Sequence, residues 1–279
     1  MKKSSGFDVI LTYAAVILLV LIEVLPFLWI FMVSIKHNQD IVTWPPKFIF
    51  KPTFQNYKEV LTGIKYMLPF VKCLTNSIIT TGVSLLAAMT IASISAYSIT
   101  RLKPRGSFTI NLIILGIRMV PPIVLVVPLY IIYNYLGLID TKLGLIFPFT
   151  ALSIPLAVWI MGSFFLDIPK NIEEAAMIDG CSPFQAFWRV ILPIAAPGLA
   201  AASIFSFILT WNNLTFPLTL TMSEAATLTV LASQFRTEEG ILWGQLGAVS
   251  IIMMLPIIFF TIFATKYLVK GIASGAMKG

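Results

Sequence analysis

The residues of this chain that could make or break bonds are few and scattered. There is one histidine, His37, and there are two cysteines, Cys73 and Cys181, with no CxxC or Cys/His spacing for a metal. A membrane-embedded enzyme would need paired carboxylates, a histidine cluster or an activated serine or cysteine, and the apolar stretches hold no cluster of acids. No GxxxxGK[ST] run or glycine-rich phosphate cradle occurs, so the chain is not expected to bind ATP. What remains is the chemistry of binding. Trp211-Asn212-Asn213, flanked by Thr210 and Thr215, offers amides that both donate and accept, and an indole face suited to the apolar side of a sugar ring. The competing use of such a group is hydrogen bonding between helices. Arg118 falls within an apolar stretch, where a cation must pair with a carboxylate or meet water in a cavity.

A second constellation suits docking. In residues 167–193, Asn171 is placed to cap a helix with Glu174 three residues on, and Gly180 is placed to end it. Ser182, Pro183 and Gln185 then spell a capping box with proline at the first helical position, and Pro193 is expected to close the second helix. Ala175 and Ala176 keep one face of the first helix low, while Phe184, Phe187 and Trp188 put apolar bulk on the second. Such a pair of helices fits a docking knob, or alternatively an amphipathic segment lying on a lipid surface.

The elements that must position these residues are membrane helices. The chain is 58% hydrophobic and 11% charged, with mean hydropathy +0.93; a soluble domain carries about 25% charged residues. Six stretches near 9–35, 74–98, 108–133, 144–166, 194–218 and 246–268 are long enough to span about 30 Å of hydrocarbon. Their continuous apolar character predicts helices rather than alternating barrel strands. The first, behind Lys2 and Lys3, is longer than a signal-peptide core and is read as a retained helix. The segment 99–107 holds Arg101, Lys103 and Arg105 and no acid, which places it, with both termini, on the cytoplasmic side. Most outward basic residues then sit in one loop, 36–70, and the net charge of +7 reflects this topology rather than a nucleic-acid surface. The two cysteines fall on opposite sides, so no disulfide between them is expected. Ala88, Ala92 and Ala96 predict a close helix–helix seam. Pro121-Pro122, Pro128, Pro148, Pro155, Pro197, Pro217 and Pro256 predict kinks in the last four spans. No internal repeat supports an inverted-repeat transporter, and a proton-coupled carrier would need buried acids beyond the single Glu23 of the first span.

The 167–193 segment resembles the EAA loop of ATP-binding-cassette importer permeases: Glu174-Ala175-Ala176, three residues, Gly180, nine residues, then Val190 where the family has isoleucine, Leu192 and Pro193. Trp44-Pro45-Pro46 with Pro52-Thr53-Phe54-Gln55-Asn56-Tyr57 looks like the first outer loop of the carbohydrate-uptake subfamily. The end, from Val269 through Gly275, Lys278 and Gly279, is similar to the tail of the second permease of maltose-type systems. The resemblance implies an all-α polytopic protein: one permease domain over 1–279, six transmembrane helices, cytoplasmic termini and the type I importer permease fold. It carries coupling to an ATPase onto Glu173, Glu174, Ala175, Ala176, Asp179, Gly180, Ser182, Phe184, Phe187, Leu192 and Pro193. It carries a second ATPase contact onto the 269–279 tail at Gly275, Lys278 and Gly279, and leaves Trp211, Asn212, Asn213 and Arg118 as candidates for the solute path. It implies a second homologous permease, two ATPase subunits that hold ATP and Mg, and an extracytoplasmic solute-binding protein, in the inner membrane of a bacterial or archaeal cell. The chain itself would be no enzyme and would import a sugar, oligosaccharide or polyol; the same machine for another solute is the alternative.

Overall fold

The computed structural model describes residues 6–64 and 67–276. The described residues are helical almost throughout, with one antiparallel hairpin of two-residue strands, β1 (Arg236–Thr237) and β2 (Gly240–Ile241). In chain order the helices are α1 (Gly6–Ser34), α2 (Asn38–Ile41), α3 (Gln55–Thr62), α4 (Phe70–Leu102), α5 (Ser107–Arg118), α6 (Pro122–Leu136), α7 (Lys142–Asp167), α8 (Lys170–Ile178), α9 (Pro183–Ile194), α10 (Ala196–Trp211), α11 (Thr215–Leu220), α12 (Leu228–Gln234) and α13 (Trp243–Ala276).

Among the described residues, four stretches are continuous and apolar enough to cross a bilayer: Val9–Ser34, Phe70–Leu102, Lys142–Asp167 and Trp243–Lys266. The other two expected spans are broken more severely than a kink. α5 and α6 meet at 90°, and α9 and α10 at 74°. Proline explains both. Pro121 and Pro122 carry no N–H for the carbonyls of Ile117 and Arg118, and Pro121 is extended at ψ 133°. Pro197 likewise leaves the Pro193 carbonyl without its helical donor, and the turn falls at Ala195. Counting each bent pair as one span gives six.

The chain folds as two compact units, 1–69 with 232–254 and 70–231 with 255–279. In the first, α1 is apolar on every side and exposed from Val9 to Trp29, which is the surface of a helix solvated by lipid. Asn56 ties its end to α3, donating from Nδ2 to the Ser34 and Lys36 carbonyls at 2.8 and 2.7 Å. Gln245 joins the start of α13 to α3 through Glu59, at 2.6 Å.

The second unit holds the larger core. Ala88, Ala92 and Ala96 of α4 are fully buried against Ala157, Met161 and Phe165 of α7, and Ala202 of α10 joins them. This is the close seam the alanine spacing predicts. The approach is tighter still at Gly198, where a Cβ would stand 2.5 Å from Phe164 Cγ.

Candidate functional site

The α8–α9 loop is built largely as its sequence specifies. α8 ends on Asp179, and Gly180 follows at φ +91°, a conformation that side chains resist. Gly180 N–H donates to Met177 O and Cys181 N–H to Ala176 O, at 3.1 and 3.0 Å, closing the helix end. At the next start, Gln185 N–H donates to Ser182 Oγ and Ser182 N–H to Gln185 Oε1, with Pro183 in the first turn. Two details differ. The helix begins at Lys170 behind Pro169, which makes no side-chain cap, so Asn171 lies inside the first turn instead of capping it. Pro193 does not close the second helix. The helix widens at Phe187–Ile191, where Leu192 N–H reaches back five residues to Phe187 O, and it runs past Pro193 to Ile194. Pro193 cannot donate to Arg189, and the wider turn accommodates that gap.

The loop has an inner and an outer face. Phe187, expected as exposed bulk, is 3% exposed and packs against both Tyr97 and Phe165, with ring centroids 4.8 and 6.2 Å away. Ala176 is buried as well. Glu173 also turns inward: its carboxylate accepts a short hydrogen bond from the Tyr97 hydroxyl and lies 4.0 Å from Arg101 Nε. Arg101 in turn donates from Nη2 to the Ile168 carbonyl at the end of α7. Tyr97 and Arg101 stand four apart, so both lie on one face of α4. Neither was singled out for chemistry by its sequence context, and that i, i+4 spacing of an aromatic hydroxyl and a guanidinium was the only available signal.

The outer face carries Glu174, Ala175, Asp179, Gly180, Ser182 and Phe184, all exposed. Beside them are Ile178, 85% exposed, Phe184 at 68%, Met177 and Trp188. Leu192 is half-buried and Pro193 exposed. An acid amid contiguous exposed apolar side chains is a surface that water solvates poorly and a partner would cover.

The second group of candidates is divided. Arg118 is the last residue of α5, at the 90° bend rather than mid-helix. It is the one charged residue lining a cavity of about 470 Å³ among α5, α6, α7 and α11, whose walls include Pro122, Tyr133, Phe147, Pro148 and Phe216. Trp211, Asn212 and Asn213 do not line it. The apolar pattern predicts all three inside a fifth span of 194–218, whereas α10 ends at Trp211. Asn212 Nδ2 turns back to Ile208 O at 3.1 Å, and Phe216 N–H donates to Asn213 Oδ1 at 3.1 Å, starting α11. Asparagine side chains compete for backbone partners in this way and end helices. Trp211 is buried and stacked on Phe207, with centroids 5.5 Å apart, while Asn212 is exposed. Of the tail, Gly275 lies in the last turn of α13, and Lys278 and Gly279 lie outside the described residues.

Residues 84–274 match the family described as binding-protein-dependent transport system inner membrane component. The chain is 35% identical to the trehalose/maltose transport system permease protein MalG of Thermococcus litoralis, over 97% of each chain. It is 36% identical to the trehalose transport system permease protein SugB of Mycobacterium tuberculosis, over 96% of this chain and 98% of that one. Among solved structures, a chain of a bacterial ABC transporter that imports the acidic polysaccharide alginate aligns with TM-score 0.75 at 22% identity. That alignment covers 96% of this chain and 99% of the other. The fold is that of a type I importer permease, and the chain belongs to the binding-protein-dependent transport system inner membrane component family, as an ABC transporter permease that crosses the membrane several times.

Proposed function

We propose that this chain is one of two different permease subunits in an ATP-driven importer of a sugar, oligosaccharide or polyol. Relatives at about a third identity over nearly the full chain, named for trehalose and maltose transport, support the carbohydrate class. In this reading the chain works in the inner membrane of a bacterial or archaeal cell, with both termini and the α8–α9 loop in the cytoplasm. Two ATPase subunits bind ATP and Mg, an extracytoplasmic binding protein delivers the solute, and this chain binds no cofactor.

The observation that carries the coupling role is the two-sided loop. Its outer face, with Glu174, Ala175, Ile178 and Phe184, meets the ATPase. Its inner face is gripped through Glu173, Phe187 and Ala176. Closure of the ATPase dimer displaces the loop as a rigid piece, because the end of α8 is closed at Gly180 and the start of α9 is capped by Ser182 and Gln185. The Tyr97–Glu173–Arg101 contacts pass that displacement to the ends of α4 and α7, and α9 passes it across the Ala195 bend to α10. The tail at Gly275, Lys278 and Gly279 adds a second ATPase contact, and the α10–α11 break at Asn212 and Asn213, with Trp211 behind it and Arg118 in its cavity, contributes to the solute path.

The test is uptake by the complete transporter in vesicles carrying Glu174→Lys. The exposed position predicts normal amounts of folded permease in the membrane with uptake abolished. Transport at the unsubstituted rate would remove the docking role. Binding of a panel of sugars and polyols to the partner binding protein identifies the solute, and exclusive binding of an amino acid or ion would remove the carbohydrate class.

A further inference from the structure

On the side of the bundle opposite the α8–α9 loop, Asp140 occupies the left-handed region at φ +57°, between α6 and α7. Its carboxylate collects the backbone of another loop. Oδ1 accepts from Met222, Glu224 and Ala225 N–H at 2.9, 3.1 and 2.9 Å, and Oδ2 from Ser223 and Glu224 N–H, both at 3.0 Å. Asp140 N–H also donates to Leu220 O at 2.8 Å, at the end of α11. Four consecutive amides converging on one carboxylate form a concave anion site filled by the protein's own side chain.

The held loop is tied onward. Asn76 Nδ2 of α4 donates to the Glu224 and Ala226 carbonyls at 2.8 and 3.0 Å, and Leu228 N–H donates to Ser77 Oγ at 2.9 Å. Thr227 and Thr229 share a hydrogen bond of 2.8 Å between their hydroxyls. Thr229 Oγ1 then donates to Asn213 O at 2.9 Å. That carbonyl is where a helical donor is missing: the residue four ahead is Pro217, which has no N–H. Asn76, Ser77, Thr227 and Thr229 are all buried, so each bond is made where water does not compete for it.

We infer that Asp140 is a positioning residue for the solute path: by gathering residues 222–225 it holds Thr229 against Asn213 and so sets the geometry of the α10–α11 break. This rests on the reading of that break as part of the path. Asp140 touches no solute itself. Its role is to keep residues 212–214 in one arrangement while the membrane helices move.

The experiment uses the complete transporter, with Cys73→Ser, Cys181→Ser and a reporter Leu214→Cys in the break, labelled by a water-soluble maleimide. Asp140→Asn is the informative change, since asparagine also tolerates the left-handed backbone. Its amide must point two donors at amide N–H groups whichever way it is turned. Labelling at position 214 is expected to speed up about tenfold, the effect of losing roughly 1.4 kcal/mol of restraint. Uptake by Asp140→Asn without the reporter is expected to fall by a similar factor while ATP hydrolysis by the complex is unchanged. Thr229→Val leaves the Asp140 contacts intact, removes the Thr229 hydroxyl with its bonds to Asn213 O and Thr227 Oγ1, and should give the same labelling change. Unchanged labelling in Thr229→Val overturns the proposal, even if Asp140→Asn fails to reach the membrane; unchanged labelling in a folded Asp140→Asn protein overturns it equally. Faster labelling with normal uptake supports the positioning role and removes the path reading.

Discussion

The two ends of this bundle hold a loop in place by opposite means. On the α8–α9 side the grip is between side chains: the Glu173 carboxylate takes the Tyr97 hydroxyl and faces Arg101, and Phe187 packs against both Tyr97 and Phe165. On the other side one carboxylate, Asp140, holds four main-chain amides, and the side chains of the held residues are free to differ. The first arrangement demands particular residues at five positions and keeps an ion pair out of water, so it resists disturbance only while every member is present. The second demands one residue at one position. A loop that must transmit force gains from the interlocked design, because aromatic packing and ion pairing resist displacement in several directions. A loop that needs only to stay put is served by backbone bonds to a single side chain.

The largest effect that separates the two is expected from Glu173→Ala. Arg101 is 5% exposed and Glu173 13%, and removing one member of such a pair leaves the other charge buried without its partner, which costs about 3–5 kcal/mol. Thermal unfolding of the purified permease in detergent checks this. Arg101→Ala should be comparably harmful, while the double variant should recover part of the loss, since it leaves no orphaned charge. Equal and additive losses would show that the Tyr97 hydrogen bond and packing, not the ion pair, carry the grip.

Asp140→Asn comes next, at about 1–3 kcal/mol for amides left facing a donor. Burial raises the Asp140 carboxyl, but the amides of Ala225, Glu224, Met222 and Ser223 together outweigh it and hold it below the usual 3.8. With the folded value depressed, the stabilisation is complete above the unfolded value near 4 and is lost as pH falls through the lower folded value. Unfolding curves between pH 5 and 8 should therefore give the same difference between Asp140→Asn and the natural chain. The difference should shrink only in stronger acid. A difference that changed between pH 6 and 8 would point to another group.

How far these regions could be read from the sequence differs for physical reasons. The α8–α9 loop was legible because capping, glycine stops and proline starts are local: Gly180, Ser182, Pro183 and Gln185 do as their types require. Phe187 and Glu173 were not, since nothing local tells an inward aromatic or acid from an outward one three or four positions away. The breaks at Arg118 and Trp211 were foreshadowed by Pro121-Pro122, Asn212-Asn213 and Pro217, yet their depth depends on which freed carbonyls find other donors. Asp140 was silent. Its neighbours Gly137 and Thr141 mark a turn and a helix cap, but its partners lie more than 80 residues away, and backbone donors leave no trace in residue types.

A smaller cost is expected at Gly180→Ala. No atom lies within 4 Å of where the new Cβ would stand, so there is no clash, and the loss is the backbone strain of an L residue near φ +91°, about 1–2 kcal/mol. Gly180→Asn should recover most of it. If alanine were as harmful as Glu173→Ala by the same unfolding measurement, the turn itself would be part of the grip.

The smallest change sharpens what the Asp140 side is made of. Lys72 Nζ and Glu224 Oε1 lie 2.7 Å apart on the same loop that Asp140 holds, but the side chains are 37% and 71% exposed. Water already solvates both charges well, so the pair is worth about 0–1 kcal/mol and less in high salt. Lys72→Ala should leave both the unfolding temperature and maleimide labelling at position 214 within error of the natural chain, whereas Asp140→Asn moves both. The contrast matters because both contacts look equally short. If Lys72→Ala reproduced the Asp140→Asn effects, the loop would be held by surface charge, as the α8–α9 loop is held by buried charge. The distinction between a side-chain grip on one side and a main-chain grip on the other would then disappear.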